Sequence, residues 1–296
     1  MNYFTSFRDN NIAHILRQEI LPLAMLNPAE LKKRKLYIVA NNIDRQTAQQ
    51  KWRAFVFSCV FHEVVYVCGK VRALIVRLNT RLKTDTGYQC LKFVDDPPQI
   101  EYVQFSEFIK ANAGIKAPAQ EYVLLNQRPV DDRYLIEVDS GLPLEQYLSC
   151  ALEGRDIPFR SCDFSVMTPA AQAQICGGAN ILIAAHGAGL SNSILTPRHC
   201  HVLEYNFRKY WNCDPVCEAH RNGVLADHEE CHGELTYHAH FHKADFHNLC
   251  RLLGRPYTEL EVTRYGGRLS RNPIGRRSLF VNGASLLAEI EKQISC

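Results

Sequence analysis

Apolar positions along the chain fall into short continuous runs, and stretches of helical spacing lie between them. Leu36 to Ala40 (LYIVA), His62 to Val67 (HEVVYV), Tyr122 to Leu125 (YVLL), Ile181 to Ala185 (ILIAA) and His201 to Tyr205 (HVLEY) predict strands. Their length and lack of polar alternation suit strands covered on both faces. Asn11 to Met25 carries apolar residues at Ile12, Ile15, Leu16, Ile20, Leu23 and Ala24, which predicts a helix that Pro22 ends or kinks. Thr47 to Cys59, Leu144 to Leu152, Phe246 to Leu253 and Leu286 to Ile294 also read as helices, with a short helical stretch over Leu190 to Leu195. Thr168 is placed as an N-cap with Pro169 at the first helical position, and that helix stops at Gly177-Gly178. Val71 to Leu78 is apolar but of no clear type, and Asp95-Asp96-Pro97-Pro98 is a breaker.

Strands alternating with helices predict parallel sheets built from βαβ units. The alternation comes in two blocks, separated by the linker-like Ala113 to Ala119 (AGIKAPA). A chain of 296 residues also has room for two domains at about 150 residues each. The expected fold is therefore α/β, with two Rossmann-like domains facing each other across a cleft. The expected boundaries are 1–118, 119–280 and a C-terminal helix over 281–296. In such sheets ligands bind at the carboxyl ends of strands, which points to the loops after Leu125 and Ala185.

Composition narrows the class only modestly. Apolar residues make up 46% and charged residues 22%, the balance of an ordinary globular protein and not of a disordered one. A net charge of +3 over this length is no electrostatic footprint for nucleic acid. The most apolar windows, Ala54 to Phe61 and Ile181 to Leu190, fall short of the roughly 18 residues a membrane-spanning helix needs. The opening MNYFTSFRDNN has no basic segment followed by an apolar one, so no signal peptide is expected. The 12 cysteines are scattered, which suits reduced thiols in a cytosol.

The candidate chemistry sits in Ile181 to Asn192, ILIAAHGAGLSN. A buried strand enters a glycine turn and then a helix start, which offers backbone N–H groups to a phosphate. Gly187 and Gly189 allow close backbone approach, and His186 at the strand end is placed to reach a diphosphate or ribose. The same residues also suit a plain strand-to-helix turn. Arg128 and Arg133 follow the 122–125 strand, and the planar guanidinium matches phosphate oxygens. The acid pairs Asp95-Asp96 and Asp131-Asp132 read as solvated turns, and no Asp-x-Asp triplet occurs.

His186-Gly-Ala-Gly-Leu-Ser-Asn192 resembles the signature loop of glycosyltransferase family 61, whose members include O-linked N-acetylglucosaminyltransferases and plant xylosyltransferases. Further segments carry the resemblance in the same order. Gln172 stands in the place of the Gln of an upstream Glu-Gln pair, and Ala179-Asn180 replaces the usual Ala-Asp. Pro197 with Val202-Leu203-Glu204 is similar to the family's proline turn and following strand. Asn126 to Arg133 resembles a loop with two arginines, and Phe246 to Tyr257 a late helix ending in Gly and Tyr. Asn11 to Pro22, with His14 and Glu19, resembles an opening helix.

The resemblance implies an inverting glycosyltransferase of GT-B-like architecture. It would move a sugar, xylose or N-acetylglucosamine, from a UDP-sugar to a hydroxyl of a glycan or glycoprotein. The domain over 1–118 would then lie on the acceptor side and that over 119–280 would bind the nucleotide sugar. Arg128, Arg133, His186, Gly187, Ala188, Gly189, Leu190, Ser191 and Asn192 are the expected donor-binding residues. An inverting transfer needs a base for the acceptor hydroxyl, and His14, Asp9 and Glu19 are the candidates. With the diphosphate held by arginines and backbone N–H groups, no metal and no other cofactor is expected. The setting would be a soluble cytoplasmic enzyme of microbial or viral type. The alternatives are a module of the same fold that binds nucleotide or glycan without turnover, and a zinc-stabilised interaction protein. The latter would use Cys213, Cys217, His220, Cys231 and His232, although the spacing matches no standard finger.

Overall fold

In a computed structural model, residues 3–6, 12–39, 47–67, 100–116, 118–130, 132–206, 246–266 and 278–294 are described. The segments around Val71 to Leu78, Asp95 to Pro98 and 207–245 lie outside these residues.

The first block contains three parallel strands in the order β1 (Tyr3–Ser6), β2 (Lys35–Val39) and β3 (Glu63–Val67). Its opening helix is broken into three kinds of turn. An α-turn over Ile12–Ile15 (α1) passes into a π-segment, Leu16–Ile20, and then a 3-10 segment, Leu21–Met25. Pro22 lies in the first turn of the last segment and has no N–H to donate, so the α-helical ladder cannot continue through it. Asn27 caps the short α2 (Pro28–Leu31). Thr47 caps α3 (Ala48–Val60), its hydroxyl accepting from the Gln50 N–H at 3.3 Å. The helix α4 (Ile100–Asn112) is not predicted by the hydrophobic pattern, because its aromatic and β-branched residues mimic a strand.

The second block is a five-stranded parallel sheet in the order β6-β4-β7-β8-β9. These strands are β4 (Tyr122–Asn126), β6 (Phe159–Cys162), β7 (Ala179–Ala185), β8 (His201–Asn206) and β9 (Tyr257–Glu261). From β4 the chain moves outward to β6, then crosses back through α6 (Pro169–Cys176) to β7 on the other side. The order therefore reverses between β4 and β7, and the crevice at their carboxyl ends is where ligands bind in such sheets. A third small sheet joins β5 (Leu135–Glu137) and β11 (Ser278–Val281) in parallel, with β10 (Arg264–Gly266) antiparallel to β11.

Strand periodicity divides the core into two layers. Val123, Leu125, Ile181, Ile183 and Leu203 face α5 (Leu144–Glu153) and the last helix, whose Leu286 and Ile290 pack against them. Leu124, Leu182, Ala184 and Val202 face the other way, onto Ile15, Trp52, Phe57 and Phe105 of the first block and Leu249 of the helix at 246–252. This layer takes residues from both blocks, on either side of residue 118. The C-terminal helix, Gly283–Ile294, forms one wall of the layer that holds Val123 and Ile181.

Glu137 pins that helix. One carboxylate oxygen accepts from the N–H groups of Asp139 (3.0 Å) and Ser140 (2.6 Å) and from the Ser140 hydroxyl (2.7 Å). The other accepts from the Gly283 N–H, at the positive end of the helix, at 3.3 Å. Burial pushes the Glu137 carboxyl up, but the bonds from Ser140, Asp139 and Gly283 outweigh it and hold the group below the usual glutamate range. A depressed folded pKa stabilises above the unfolded value and is lost as pH falls through the folded one. Glu137→Gln should therefore cost about 1.5–3 kcal/mol at pH 7. In urea unfolding the gap between parent and variant should close as pH falls below about 4. A gap unchanged at low pH would show that the charge of Glu137 is not what holds the helix.

Candidate functional site

The loops leaving β4 and β7 meet at the crevice. After β4, Arg128 donates through Nε to Oδ2 of Asp132 at 2.8 Å, and its Nη2 reaches the same oxygen. Arg133 donates through Nε to the other carboxylate oxygen at 2.9 Å. The expected solvated turn at Asp132 is therefore corrected: its carboxylate is the shared counter-ion that holds two guanidiniums side by side. Burial pushes the Asp132 carboxyl up, but Arg133 and Arg128 overcome this and lower it. Asp131 lies outside the described residues.

Arg133 also closes the gap to β7. Its Nη1 donates to the backbone carbonyl of His186 at 2.7 Å. The residue sits at φ 59°, a left-handed conformation that costs a non-glycine residue of order 1–2 kcal/mol. Its bonds to Asp132 and to His186 hold that strain. Gly187, at φ 153°, makes room for the guanidinium, since a Cβ there would lie 2.5 Å from Nη1. Burial first, and the neighbouring Arg128 next, lower the proton affinity of Arg133, but a guanidinium remains charged at any physiological pH.

The turn continues into a 3-10 segment, Ala188–Leu195, longer and tighter than the helix expected from Leu190 onward. Its first internal bond runs from the Leu190 N–H to the Gly187 carbonyl at 3.0 Å. The N–H groups of Ala188 and Gly189 precede that bond and have no place in the helical ladder. Among the described residues, two guanidiniums against one carboxylate give this corner a net positive charge, which together with the amide groups can take a phosphate group.

The structure divides the expected donor-binding turn in two. Gly187, Ala188 and Gly189 form its edge. Leu190 belongs to the core layer of Leu124 and Trp52, Ser191 is fully buried, and Asn192 points inward. Asn192 accepts from the Trp52 indole N–H at 2.8 Å and donates to Gln172 Oε1 at 2.9 Å. Its side chain is thereby committed to the interior.

His186 is 3% exposed and paired through Nδ1 with Glu204, whose second oxygen accepts from the Tyr257 hydroxyl at 2.7 Å. The pairing fixes the ring and its tautomer. Phe246 flanks the imidazole at 5.3 Å between ring centroids, and His247 stacks on Tyr257 at 5.2 Å. Burial, and then the Glu204 charge, push the Tyr257 hydroxyl far up, so it stays a donor. No motif in the sequence assigns these roles to Asp132, Glu204, Tyr257 or Trp52. For Glu204 a signal existed: β7 and β8 pair with Ala184 opposite Glu204, so even-numbered residues 184, 186 and 204 share one face.

Of the three base candidates, only the side chain of Glu19 is described. It is 6% exposed and pairs with Arg53, itself 0% exposed, through bonds of 2.8 Å from Nε and 2.5 Å from Nη2. Asp9 and the side chain of His14 lie outside the described residues. The α1 backbone that carries His14 packs against the 188–195 segment. Among the described residues no cluster of His, Cys, Asp and Glu has metal-binding geometry. His199 pairs with Glu121 at 2.8 Å and His201 with Thr258 at 2.8 Å, while Cys213, Cys217, His220, Cys231 and His232 lie outside the described residues. No described helix is long and apolar enough to cross a membrane.

A family model, Glycosyltransferase 61, matches residues 14–203. The chain belongs to glycosyltransferase family 61. The matched span of this family 61 chain takes in the opening helix, both crevice loops and β8 as far as Leu203. No curated protein matches the chain.

Proposed function

We propose that this chain is an inverting glycosyltransferase of GT-B-like arrangement that takes its sugar from a UDP-sugar. The acceptor is a hydroxyl of a glycan or glycoprotein, and the sugar is xylose or N-acetylglucosamine. The observation that carries this reading is the Arg133–His186 bond, which brings the arginine loop and the glycine turn to one corner. In the transfer, the acceptor oxygen loses its proton to a base and attacks the anomeric carbon, and the bond to the diphosphate breaks. Negative charge then grows on the diphosphate, where preorganised donors have their largest effect on rate. Arg128 and Arg133 meet that charge from one side and the Ala188 and Gly189 amides from the other. His186, fixed by Glu204, lines the same corner.

The base in this reading is His14 or Asp9, from the opening segment. Glu19 is already committed to Arg53, which favours those two over it. Residues 1–118 supply the acceptor side and 119–280 the donor side, with the helix over 281–296 bracing the latter. A cytoplasmic setting belongs to the same reading.

UDP at about 100 times its dissociation constant should stabilise the chain by about 2.7 kcal/mol in thermal unfolding. With guanidiniums in the role that a divalent ion plays elsewhere, release of UDP from the donor should continue in excess EDTA. Complete loss of turnover on chelation would contradict the metal-free mechanism. Binding of UDP with no turnover of any sugar donor would favour the module that binds without catalysis.

A further inference from the structure

A chain of amide groups runs beneath the glycine turn. It starts at Trp52 in α3, whose indole N–H donates to Asn192 Oδ1 at 2.8 Å. Asn192 Nδ2 donates to Gln172 Oε1 at 2.9 Å. Gln172 Nε2 donates to the backbone carbonyls of Phe164 (2.7 Å) and Met167 (3.2 Å). The N–H of Phe164 in turn donates to Asn126 Oδ1 at 3.2 Å, at the carboxyl end of β4. Asn126 and Phe164 are the floor on which Gly189 rests. A Cβ on Gly189 would lie 2.4 Å from Asn126 Nδ2 and 3.4 Å from the Phe164 ring.

Trp52, Asn126, Phe164, Gln172 and Asn192 are all buried, so none of these polar groups has water as a substitute partner. The chain also has a direction. At Asn192 and Gln172 the amide oxygen accepts from one neighbour and the nitrogen donates to the next. A carboxylate of the same shape has no donor and breaks the sequence. This accounts for an Asn and a Gln at positions 192 and 172, neither of which needs to touch a ligand.

We infer that Trp52, Asn192 and Gln172 are positioning residues that lock the Gly187–Gly189 edge from beneath, tying the donor corner to α3 of the first block. The inference rests on the reading of that edge as a diphosphate site. The lock matters because the edge binds through backbone groups, and a shift of about 1 Å in such a site is costly. Trp52→Phe keeps the aromatic bulk and removes only the N–H. Asn192→Asp keeps the shape and the acceptor but removes the donor. Val56→Ala serves as control, since Val56 is a fully buried residue of the same helix outside the amide chain.

Two measurements on the full chain test this. Amide hydrogen exchange without ligand should be about tenfold faster over residues 187–190 in Trp52→Phe and Asn192→Asp than in Val56→Ala, compared at equal distance below each melting temperature. UDP affinity should fall about tenfold in the same two variants, the size of one buried hydrogen bond, and stay at the parent value in Val56→Ala. Equal exchange and equal affinity in all three variants would overturn the inference while leaving the diphosphate reading intact. Faster exchange in a chain whose parent does not bind UDP would keep the lock but remove the diphosphate reading, and with it the assigned role.

Discussion

Arg133→Ala should weaken UDP binding by about two orders of magnitude or more, with the circular dichroism of the folded chain unchanged. The side chain contributes a charge-assisted contact to the anion, and such a bond accounts for about 1.5–3 kcal/mol. Its removal also takes the guanidinium from the His186 carbonyl and from Asp132, so the Arg128–Asp132–Arg133 triad changes from net positive to neutral. Arg133→Lys restores the charge but not the fork, since an ammonium on a flexible stem cannot hold Asp132 and the His186 carbonyl at once and still face a phosphate. It should recover less than a tenth of the lost affinity. His186→Ala should also lose donor affinity, because the ring couples the turn to Glu204 and Tyr257. Titration calorimetry with UDP measures all three. Parent-like affinity in both Arg133→Ala and His186→Ala would place the diphosphate elsewhere.

Glu19→Gln should destabilise the fold more than it affects the chemistry. The variant removes the Glu19 charge from beside a fully buried guanidinium, and breaking a buried ion pair from one side costs about 3–5 kcal/mol. At about 2–4 °C per kcal/mol for a large domain, the melting temperature should drop by roughly 6–20 °C. Well below that transition, kcat should remain near the parent value. The opposite result, an unchanged melting temperature with kcat lost by several orders of magnitude, would return Glu19 to the role of base. The two outcomes separate cleanly because a base acts only on the acceptor proton, while Arg53 joins α3 to the π-segment of the opening helix.

Much of the architecture is legible in the sequence for definite physical reasons. Buried parallel strands such as Ile181 to Ala185 leave uninterrupted apolar runs, and Thr168-Pro169 announces a helix start through its cap and fixed φ. Short or half-exposed strands such as Phe159–Cys162 and Tyr257–Glu261 have no such run and are held by their neighbours in the sheet. The long helix Ile100–Asn112 was hidden by residues that favour strands in isolation and are overruled by packing against α3 and the opening segment. At the site, residue type and strand ends pointed to Arg128, Arg133 and the glycines. Which atoms meet was not legible, because Asp132, Glu204 and Trp52 act through pairings across 4, 18 and 140 positions of sequence. The same holds for Asn192, which reads as a loop residue of a binding motif and is a buried strut.

The most direct measurement is a crystal structure of the full chain with UDP. The diphosphate should lie between the Arg133 guanidinium and the Ala188 and Gly189 amides, within hydrogen-bond reach of both, at the carboxyl ends of β4 and β7. A diphosphate seated anywhere else, with the arginine loop and the glycine turn both untouched, would contradict the account.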